Sequence, residues 1–173
     1  MLAVIDAVGI RGHGGAAVLT ELLHWLPIVR PDWRWHVFLL ERRLREFDDP
    51  PVSDCVTIEN TDLGNDGLAR LRWVNYVLPR RIYALKGDIL FSFANIAPAR
   101  ARCPQTVMCQ QLNALITDGI PTLALFSRAR LLFMRRQILR GARASRAVIV
   151  QTNAMRDRIE QIEPALQGHI HVI

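Results

Sequence analysis

A glycine-rich turn near the amino terminus has the clearest potential for chemistry. Residues 9–17 read Gly-Ile-Arg-Gly-His-Gly-Gly-Ala-Ala, after an apolar run and before an apolar pattern of helical period. Such a turn exposes backbone N–H groups beside the positive end of a helix dipole, and glycine lets a phosphate approach without a Cβ in the way. We therefore expect Gly14 and Gly15 to line a phosphate site. The structural alternative is a turn that needs glycine only for positive φ.

The same turn fits a loose fingerprint for dinucleotide binding. Gly12, Gly14 and Ala17 satisfy the pattern G-x-G-x-x-G/A, which is typical of NAD(P)-dependent oxidoreductases. Such a site also needs an acidic residue for the ribose hydroxyls, about 20 residues further on. Glu41 follows the next apolar run, but it comes 29 residues after Gly12. Binding of NAD(P) therefore stands as an alternative interpretation.

Amide side chains follow two later apolar runs. Asn95 comes after one of them, and Gln111 and Asn113 come after the next. Ligands of open α/β sheets bind outside the carboxyl ends of the strands, and amides can both donate to and accept from sugar hydroxyls or a diphosphate. These three residues are candidate ligand contacts. A turn-forming Asn before Pro98, and amides that cap the next element, are the alternatives.

A strand-to-helix junction at residues 146–156 is the fourth candidate. Its apolar run leads through Gln151 and Thr152 into a helical pattern, with Thr152 or Asn153 as the expected N-cap. Arg156 in the first turn is unfavourable for the helix dipole. A bound anion or simple solvation of the side chain would account for it.

Positive charge is concentrated between Asp118 and Asp157, where eight arginines occur without any acidic residue. Leucines and phenylalanines alternate with the arginines, so a helix here could lie on an anionic membrane surface. The arginines spread around a helical wheel, which leaves a partly solvated helix as the alternative. No helix-turn-helix, RNP-like or zinc-finger pattern occurs, which argues against nucleic acid. The anionic-surface candidates are Arg128, Arg130, Arg135, Arg136 and Arg140.

The elements that must position these residues are readable from the hydrophobic pattern. Short apolar runs alternate with helical patterns, which predicts an α/β fold, a Rossmann-like open parallel sheet with helices on both faces. The predicted strands are Ala3 to Val8, His36 to Leu40, Cys55 to Ile58, Asp88 to Phe93, Thr106 to Cys109, Ala147 to Val150 and His169 to Ile173.

Three apolar stripes predict helices. The first, Leu19 to Leu26, is expected to end at Pro27 or Pro31. The second runs from Leu68 to Leu85, and Pro79 should kink or divide it. The third stripe is formed by Met155, Ile159 and Ile162.

Length and composition favour one domain spanning residues 1–173, with a full hydrophobic core. The net charge is +6, and the basic residues are 21 arginines and one lysine, which indicates an anionic partner. Three cysteines form neither a C-x-x-C pair nor an even framework, so we expect packing thiols in a cytoplasmic protein without a metal site. The amino-terminal run lacks the features of a signal peptide, and no run is long enough to span a membrane.

Taken in order, these segments resemble the N-terminal domain of family 4 glycosyltransferases, which have the two-domain GT-B fold. The resemblance covers nearly the whole chain. It rests on the Gly14-Gly15 turn, the strand that leads to Asn95-x-x-Pro98, the strand and loop from Val107 to Leu115, and the junction Val-Ile-Val-Gln-Thr-Asn-Ala-Met at residues 148–155.

The resemblance implies transfer of a sugar from a nucleotide-sugar donor, with retention of configuration and without a bound metal or tightly bound cofactor. It places Gly14, Gly15, Arg11 and His13 near the donor phosphates. It places Asn95, Gln111, Asn113, Gln151 and Thr152 on the side of the acceptor or the reacting sugar. It identifies no catalytic residue, and the acceptor could be a glycan, a lipid-linked molecule or a small metabolite.

Two features depart from the family. Its members often have a histidine in the loop that here reads Gln110-Gln111-Leu112-Asn113. The family's C-terminal domain, which holds the nucleotide and carries two glutamates separated by seven residues, does not occur, since Glu160 and Glu163 have a different spacing. We therefore expect this chain to need a C-terminal GT-B half, in the same or another polypeptide, and to be inactive alone. A non-catalytic basic module is the remaining alternative.

Overall fold

The structure of the protein is a computed structural model. It describes residues 1–10, 13–40, 53–63, 67–110, 115 and 125–173, with His13 and Phe126 as backbone only. Seven strands form within these residues. All seven predicted strands are confirmed, and their ends lie within three residues of the expected ones. The strands are β1 (Leu2–Asp6), β2 (Arg34–Leu40), β3 (Val56–Thr61), β4 (Ile89–Ser92), β5 (Gln105–Cys109), β6 (Ala147–Val150) and β7 (Ile170–Val172).

The strands form one sheet in the order β3-β2-β1-β4-β5-β6-β7, and every neighbouring pair is parallel. The chain runs outward from β1 to β3 on one side and from β4 to β7 on the other. The strand order therefore reverses between β1 and β4, and such a reversal leaves a crevice at the carboxyl ends of the two strands. The predicted Rossmann-like open parallel sheet is confirmed.

Helices connect most of the strands and lie on both faces of the sheet. None within the described ranges has the length and hydropathy of a membrane-spanning segment. They are α1 (His13–Val29), α2 (Gly67–Arg72), a π-helical segment (Trp73–Val77), α3 (Leu78–Leu85), α4 (Leu125–Arg143), α5 (Asn153–Ile162) and a short 3-10 helix (Pro164–Leu166).

Two buried clusters divide the core between the faces. On one face, Leu19 and Leu23 of α1 pack against Ile5 and Val37. On the other, α3, α4 and α5 cover the sheet. Full burial of each such side chain contributes about 1.5–3 kcal/mol to folding, so the two faces together hold the strands in place. The second cluster includes Val4, Leu90, Val107, Ile82, Ile138 and Ile159.

Prolines shape two of the helices. No division occurs at Pro79, because residues 67–85 form one unbroken helical run. The run changes from the π-helical segment, which ends at Val77, to α3, and Pro79 lies in the first turn of α3. Of the two prolines expected to end the first helix, Pro31 marks the end and Pro27 does not, since α1 continues through Pro27 to Val29. A proline in the last turn removes only one backbone hydrogen bond, and the helix ends two residues before Pro31.

A polar cluster holds α3 against the outer strands. Arg81 of α3 donates to the Glu59 carboxylate on β3, and Nε2 of His36 on β2 lies 3.0 Å from Oε2 of Glu59. The Arg81 guanidinium also lies over the Phe38 ring, 5.8 Å from its centroid. Partial burial raises the pKa of Glu59, but the hydrogen bonds and charges of Arg81 and His36 outweigh it and hold this pKa below its ordinary value.

We expect this cluster to make stability depend on pH. A carboxylate whose pKa is lower in the folded protein stabilises it above the unfolded value, which is 4.5 for Glu59, and loses that contribution as the pH falls through the folded value. Denaturation at a series of pH values should show wild type more stable than Glu59→Gln at neutral pH, with the difference shrinking below the unfolded value. A difference that stays constant into acid would contradict this assignment.

Candidate functional site

The crevice between β1 and β4 is the position where an open α/β sheet of this order binds ligands. At the carboxyl end of β1, Asp6 lies opposite Phe38 in β2 and Ser92 in β4. The Oγ atom of Ser92 is buried and has no hydrogen-bond partner in the described part of the chain. Two polar side chains, Asp6 and Ser92, therefore end neighbouring strands at the point where the strand order reverses.

Asp6 is a fully buried carboxylate that is held by two residues from a distant segment. Nη1 and Nη2 of Arg70 on α2 donate to its two oxygens at 2.9 and 2.8 Å, and Nε1 of Trp73 donates to Oδ1 at 3.1 Å. The Asp6 side chain is 0% exposed and that of Arg70 is 13% exposed. A buried charge is tolerated only when it is paired and hydrogen-bonded, so this contact fixes α2 and the π-helical segment over the end of β1.

Gly9 makes room for this ion pair. A Cβ at Gly9 would lie 2.7 Å from Cβ of Ala94, 3.0 Å from Nη2 of Arg70 and 3.1 Å from its Nε. The absence of a side chain therefore allows the guanidinium and the segment after β4 to approach the backbone closely. Gly9 belongs to the glycine-rich turn, yet its contacts are structural.

The remaining glycines of the turn have different surroundings. A Cβ at Gly15 would meet Cγ2 of Ile10 at 2.8 Å, so this glycine is needed for packing. A Cβ at Gly14 would meet no atom of the described residues within 4 Å, and Gly14 is exposed in the first turn of α1. No acidic residue occupies that turn, and its positive dipole end faces the carboxyl edge of the sheet. Of the two predicted phosphate-side glycines, Gly14 thus has the open approach that a ligand requires.

Other predicted phosphate-side residues are not positioned by the structure. Arg11 lies outside the described residues, as does the side chain of His13. Their assignment stays a prediction.

Asn95 occupies a turn directly after β4. Its φ of 63° is in the left-handed region, which Asn tolerates better than most residues. Its backbone N donates to the Met108 carbonyl at 3.0 Å, and its Oδ1 accepts from the Gln110 N–H at 2.7 Å. The turn role expected for an Asn before Pro98 is therefore present, and it joins the ends of β4 and β5. The contact of Asn95 with a sugar remains a prediction.

Of the other predicted sugar-side residues, the structure describes two. Gln111 and Asn113 lie outside the described residues. Gln151 and Thr152 follow β6, which is three strands from β1, or about 14 Å at the usual spacing of about 4.8 Å. Thr152 is the N-cap of α5, as predicted, with its Oγ1 accepting from the Met155 N–H at 3.2 Å. Gln151 and Thr152 therefore share the carboxyl edge of the sheet with the start of α1.

Two further expectations concern anions and metals. Arg156 lies beside Asp157, whose Oδ1 accepts from its Nε at 3.2 Å, so an acidic neighbour accompanies this arginine. The five predicted anionic-surface arginines all lie on α4. Within the described ranges no group of three or more His, Cys, Asp or Glu side chains could hold a metal ion.

A cysteine also lies at the carboxyl edge of the sheet. Cys109 is the last residue of β5, and burial raises the pKa of its thiol to about 12. The thiol is therefore protonated at neutral pH and acts as a packing group, not as a nucleophile.

The Asp6–Arg70 pair was not predicted as part of the site. Its two residues are 64 positions apart, and no periodic pattern connects them. The signal that was present is Asp6 itself, an acidic residue inside the apolar run of β1. Buried carboxylates of this kind require a cation, and a chain with 21 arginines offers too many candidates to name the partner.

Comparisons with known proteins show the fold. Over 99% of its length this chain superimposes on the structure of UDP-GlcNAc 2-epimerase from Methanocaldococcus jannaschii, with a TM-score of 0.56 and 12% sequence identity. The chain spans 45% of that protein, less than half its length. The domain is thus Rossmann-like and of the GT-B type. A scan of protein-family models finds no match, and a sequence comparison with curated proteins finds none either.

We expect the Asp6–Arg70 pair to dominate the stability of this edge. Arg70→Met should lower the free energy of unfolding by about 3–5 kcal/mol, because it leaves a buried carboxylate without a cation. Asp6→Asn should lower the free energy of unfolding by less than Arg70→Met does. The Arg70 guanidinium retains some contact with water, and Trp73 can still donate to the amide oxygen. Urea denaturation measures both changes.

The double variant Asp6→Asn/Arg70→Met completes the cycle. It should be more stable than Arg70→Met alone, because no unpaired charge remains. Additive losses would show that the two side chains do not depend on each other.

Proposed function

We propose that this chain is the acceptor-side, N-terminal half of the cleft of a retaining glycosyltransferase that moves a sugar from a nucleotide-sugar donor to an acceptor. The observation that carries the proposal is Gly14, open to solvent in the first turn of α1 beside the β1–β4 crevice. The similarity in fold to a protein named for a nucleotide sugar, UDP-GlcNAc, supports it. So does the order of the segments that resemble family 4 glycosyltransferases.

The geometry suits the charge that such a transfer creates. When the bond from the sugar to the diphosphate breaks, negative charge develops on the leaving phosphate oxygen. Backbone N–H groups at the positive end of α1 could donate to that oxygen, and no side chain of the described residues lies within 4 Å of the Cβ position of Gly14. The acceptor hydroxyl oxygen then forms the new bond to the anomeric carbon, and its proton passes to the phosphate oxygen that has left. In this proposal the reaction uses no bound metal.

The proposal includes a second half of the cleft. Donors must surround the leaving diphosphate on both sides and exclude water for this stabilisation to be effective. The chain corresponds to 45% of the GT-B-type structure that it matches. We therefore propose that a C-terminal GT-B half, in the same or another polypeptide, holds the nucleotide, and that residues 1–173 alone do not catalyse transfer.

Substitution of Gly14 tests the proposed phosphate contact. In the ligand-free protein Gly14→Ala should leave stability unchanged or raise it by up to about 1 kcal/mol, because alanine favours the helix and meets no neighbouring atom. Together with a C-terminal half from the same genome, it should weaken binding of UDP-sugars about tenfold or more, since the Cβ would occupy the phosphate position. Calorimetry with a panel of nucleotide sugars measures this loss.

Two matched variants serve as controls. Gly67→Ala also places a methyl in open space at the start of a helix, and it should change neither stability nor binding by much. Gly15→Ala should destabilise the protein, because its Cβ would collide with Ile10. Unchanged affinity in Gly14→Ala would remove Gly14 from the site.

A dinucleotide site is the second candidate, and the strand order favours it. The order β3-β2-β1-β4-β5-β6 is that of dinucleotide-binding domains, and a glycine turn follows β1. Gly12 and Glu41, which complete the fingerprint, lie outside the described residues.

The two candidates differ in what the isolated chain should bind. An NAD(P) domain would be stabilised by about 2.7 kcal/mol at a ligand concentration a hundred times the Kd. We expect NAD(H) and NADP(H) to leave the thermal midpoint of residues 1–173 unchanged, and nucleotide sugars to shift it only after the C-terminal half is added. A clear shift with a nicotinamide dinucleotide would favour the oxidoreductase.

A further inference from the structure

The outward side of α1 exposes apolar side chains along one face. Val18 is 39% exposed, Trp25 is 54% exposed, Ile28 is 58% exposed and Val29 is 67% exposed. At 3.6 residues per turn, these four side chains fall within an arc of about 100° around the helix axis. They lie opposite the buried side chains through which α1 packs on the sheet. We call this surface the α1 face, defined as Val18, Trp25, Ile28 and Val29.

The α1 face is large enough to form the apolar part of a stable interface. Its four side chains together expose on the order of 400 Å². Apolar patches of a few hundred Å² on soluble proteins often mark interaction sites. Since about 57% of a typical interface is apolar, burial of this face corresponds to about 700 Å² per copy, near the roughly 800 Å² per partner of stable complexes.

Charge distinguishes α1 from the other α-helices of the structure. α2, α3, α4 and α5 each contain at least two arginines, whereas Glu21 is the only Asp, Glu, Lys or Arg in α1. Because the net charge of the chain is +6, two copies repel each other through surfaces that carry these arginines. Two copies that meet through their α1 faces bring no arginine of a helix against another.

We propose that the α1 face is the interface of a homodimer, in which α1 packs against α1 of a second copy around a two-fold axis. Such an interface is isologous, so one row of apolar side chains serves both copies. Trp25 lies near the middle of the exposed surface, and central tryptophans often contribute most to binding. An anionic membrane or a nucleic acid would be attracted to arginines, which α1 lacks.

The dimer leaves the crevice accessible. α1 begins at the carboxyl edge of the sheet and runs toward the amino edge, where Ile28 and Val29 end it. Gly14 lies about 17 Å along the helix from Trp25. A C-terminal half that closes over the carboxyl edge would therefore not compete with the second copy.

Sedimentation velocity of the unmodified chain at a series of concentrations tests the proposal. Wild type should change from the mass of one chain to that of two as its concentration rises. W25Q/V29Q should weaken the dimer roughly a thousandfold, because the loss of a central tryptophan occurs on both copies. Circular dichroism should show this variant folded as a monomer, since both side chains are more than half exposed.

A matched variant and a footprint identify the surface. Y76Q/Y83Q removes two aromatic side chains that are 64% and 66% exposed on other helices, and it should leave the dimer unchanged. In hydroxyl-radical footprinting, oxidation of Trp25 should fall at concentrations where the dimer forms, and oxidation of Tyr83 should stay constant.

Three results would overturn dimerisation through α1. The first is a wild type that stays monomeric at the highest soluble concentration, which would leave the α1 face to a different protein. The second is an equal effect of the two double variants on the dimer. The third is unchanged oxidation of Trp25 when the dimer forms. None of these measurements involves a nucleotide sugar, so their outcome is separate from that of the proposed transferase function.

Discussion

A single buried carboxylate, that of Asp6, determines how the chain is arranged at the carboxyl edge of the sheet. Asp6 ends the central strand with no exposure to solvent, and removing a carboxylate from water costs several kcal/mol unless a cation compensates it. The bidentate contact with Arg70 and the hydrogen bond from Trp73 provide that compensation. Because both partners come from the segment after β3, the position of α2 over the crevice follows from the charge on β1.

The same contact explains how the glycines of the turn divide their roles. Gly9 lets the guanidinium lie against the backbone, and Gly15 lets α1 pack against Ile10. Neither of these requirements applies to Gly14 among the described residues. Gly14 lies at the positive end of a helix and beside a strand-order reversal, and the proposed phosphate contact would account for a glycine there. The buried hydroxyl of Ser92, which has no partner among the described residues, is a second feature at this edge that stability does not account for.

Local patterns predicted most of the fold and little of the site. Apolar runs located all seven strands of the described residues, and the Thr152 cap followed from backbone chemistry that acts over a few residues. Contacts between distant residues were not accessible in this way, because the pairing of Asp6 with Arg70 depends on how α2 crosses the sheet. For the same reason the sequence grouped Gly14 with Gly15, although among the described residues only Gly15 has a close neighbour, Ile10.

Positive charge lies at two separate places along the carboxyl edge of the sheet, the amino end of α1 and the arginines of α4. Both helices begin at this edge, because helices that return antiparallel to parallel strands start there, but they lie on opposite faces of the sheet. α1 follows β1 and α4 follows β5, two strands further along, so about 10 Å along the edge and the thickness of the sheet separate their amino ends. This separation exceeds the Debye length of about 8 Å, so solvent screens the two positive regions from each other and each attracts anions separately.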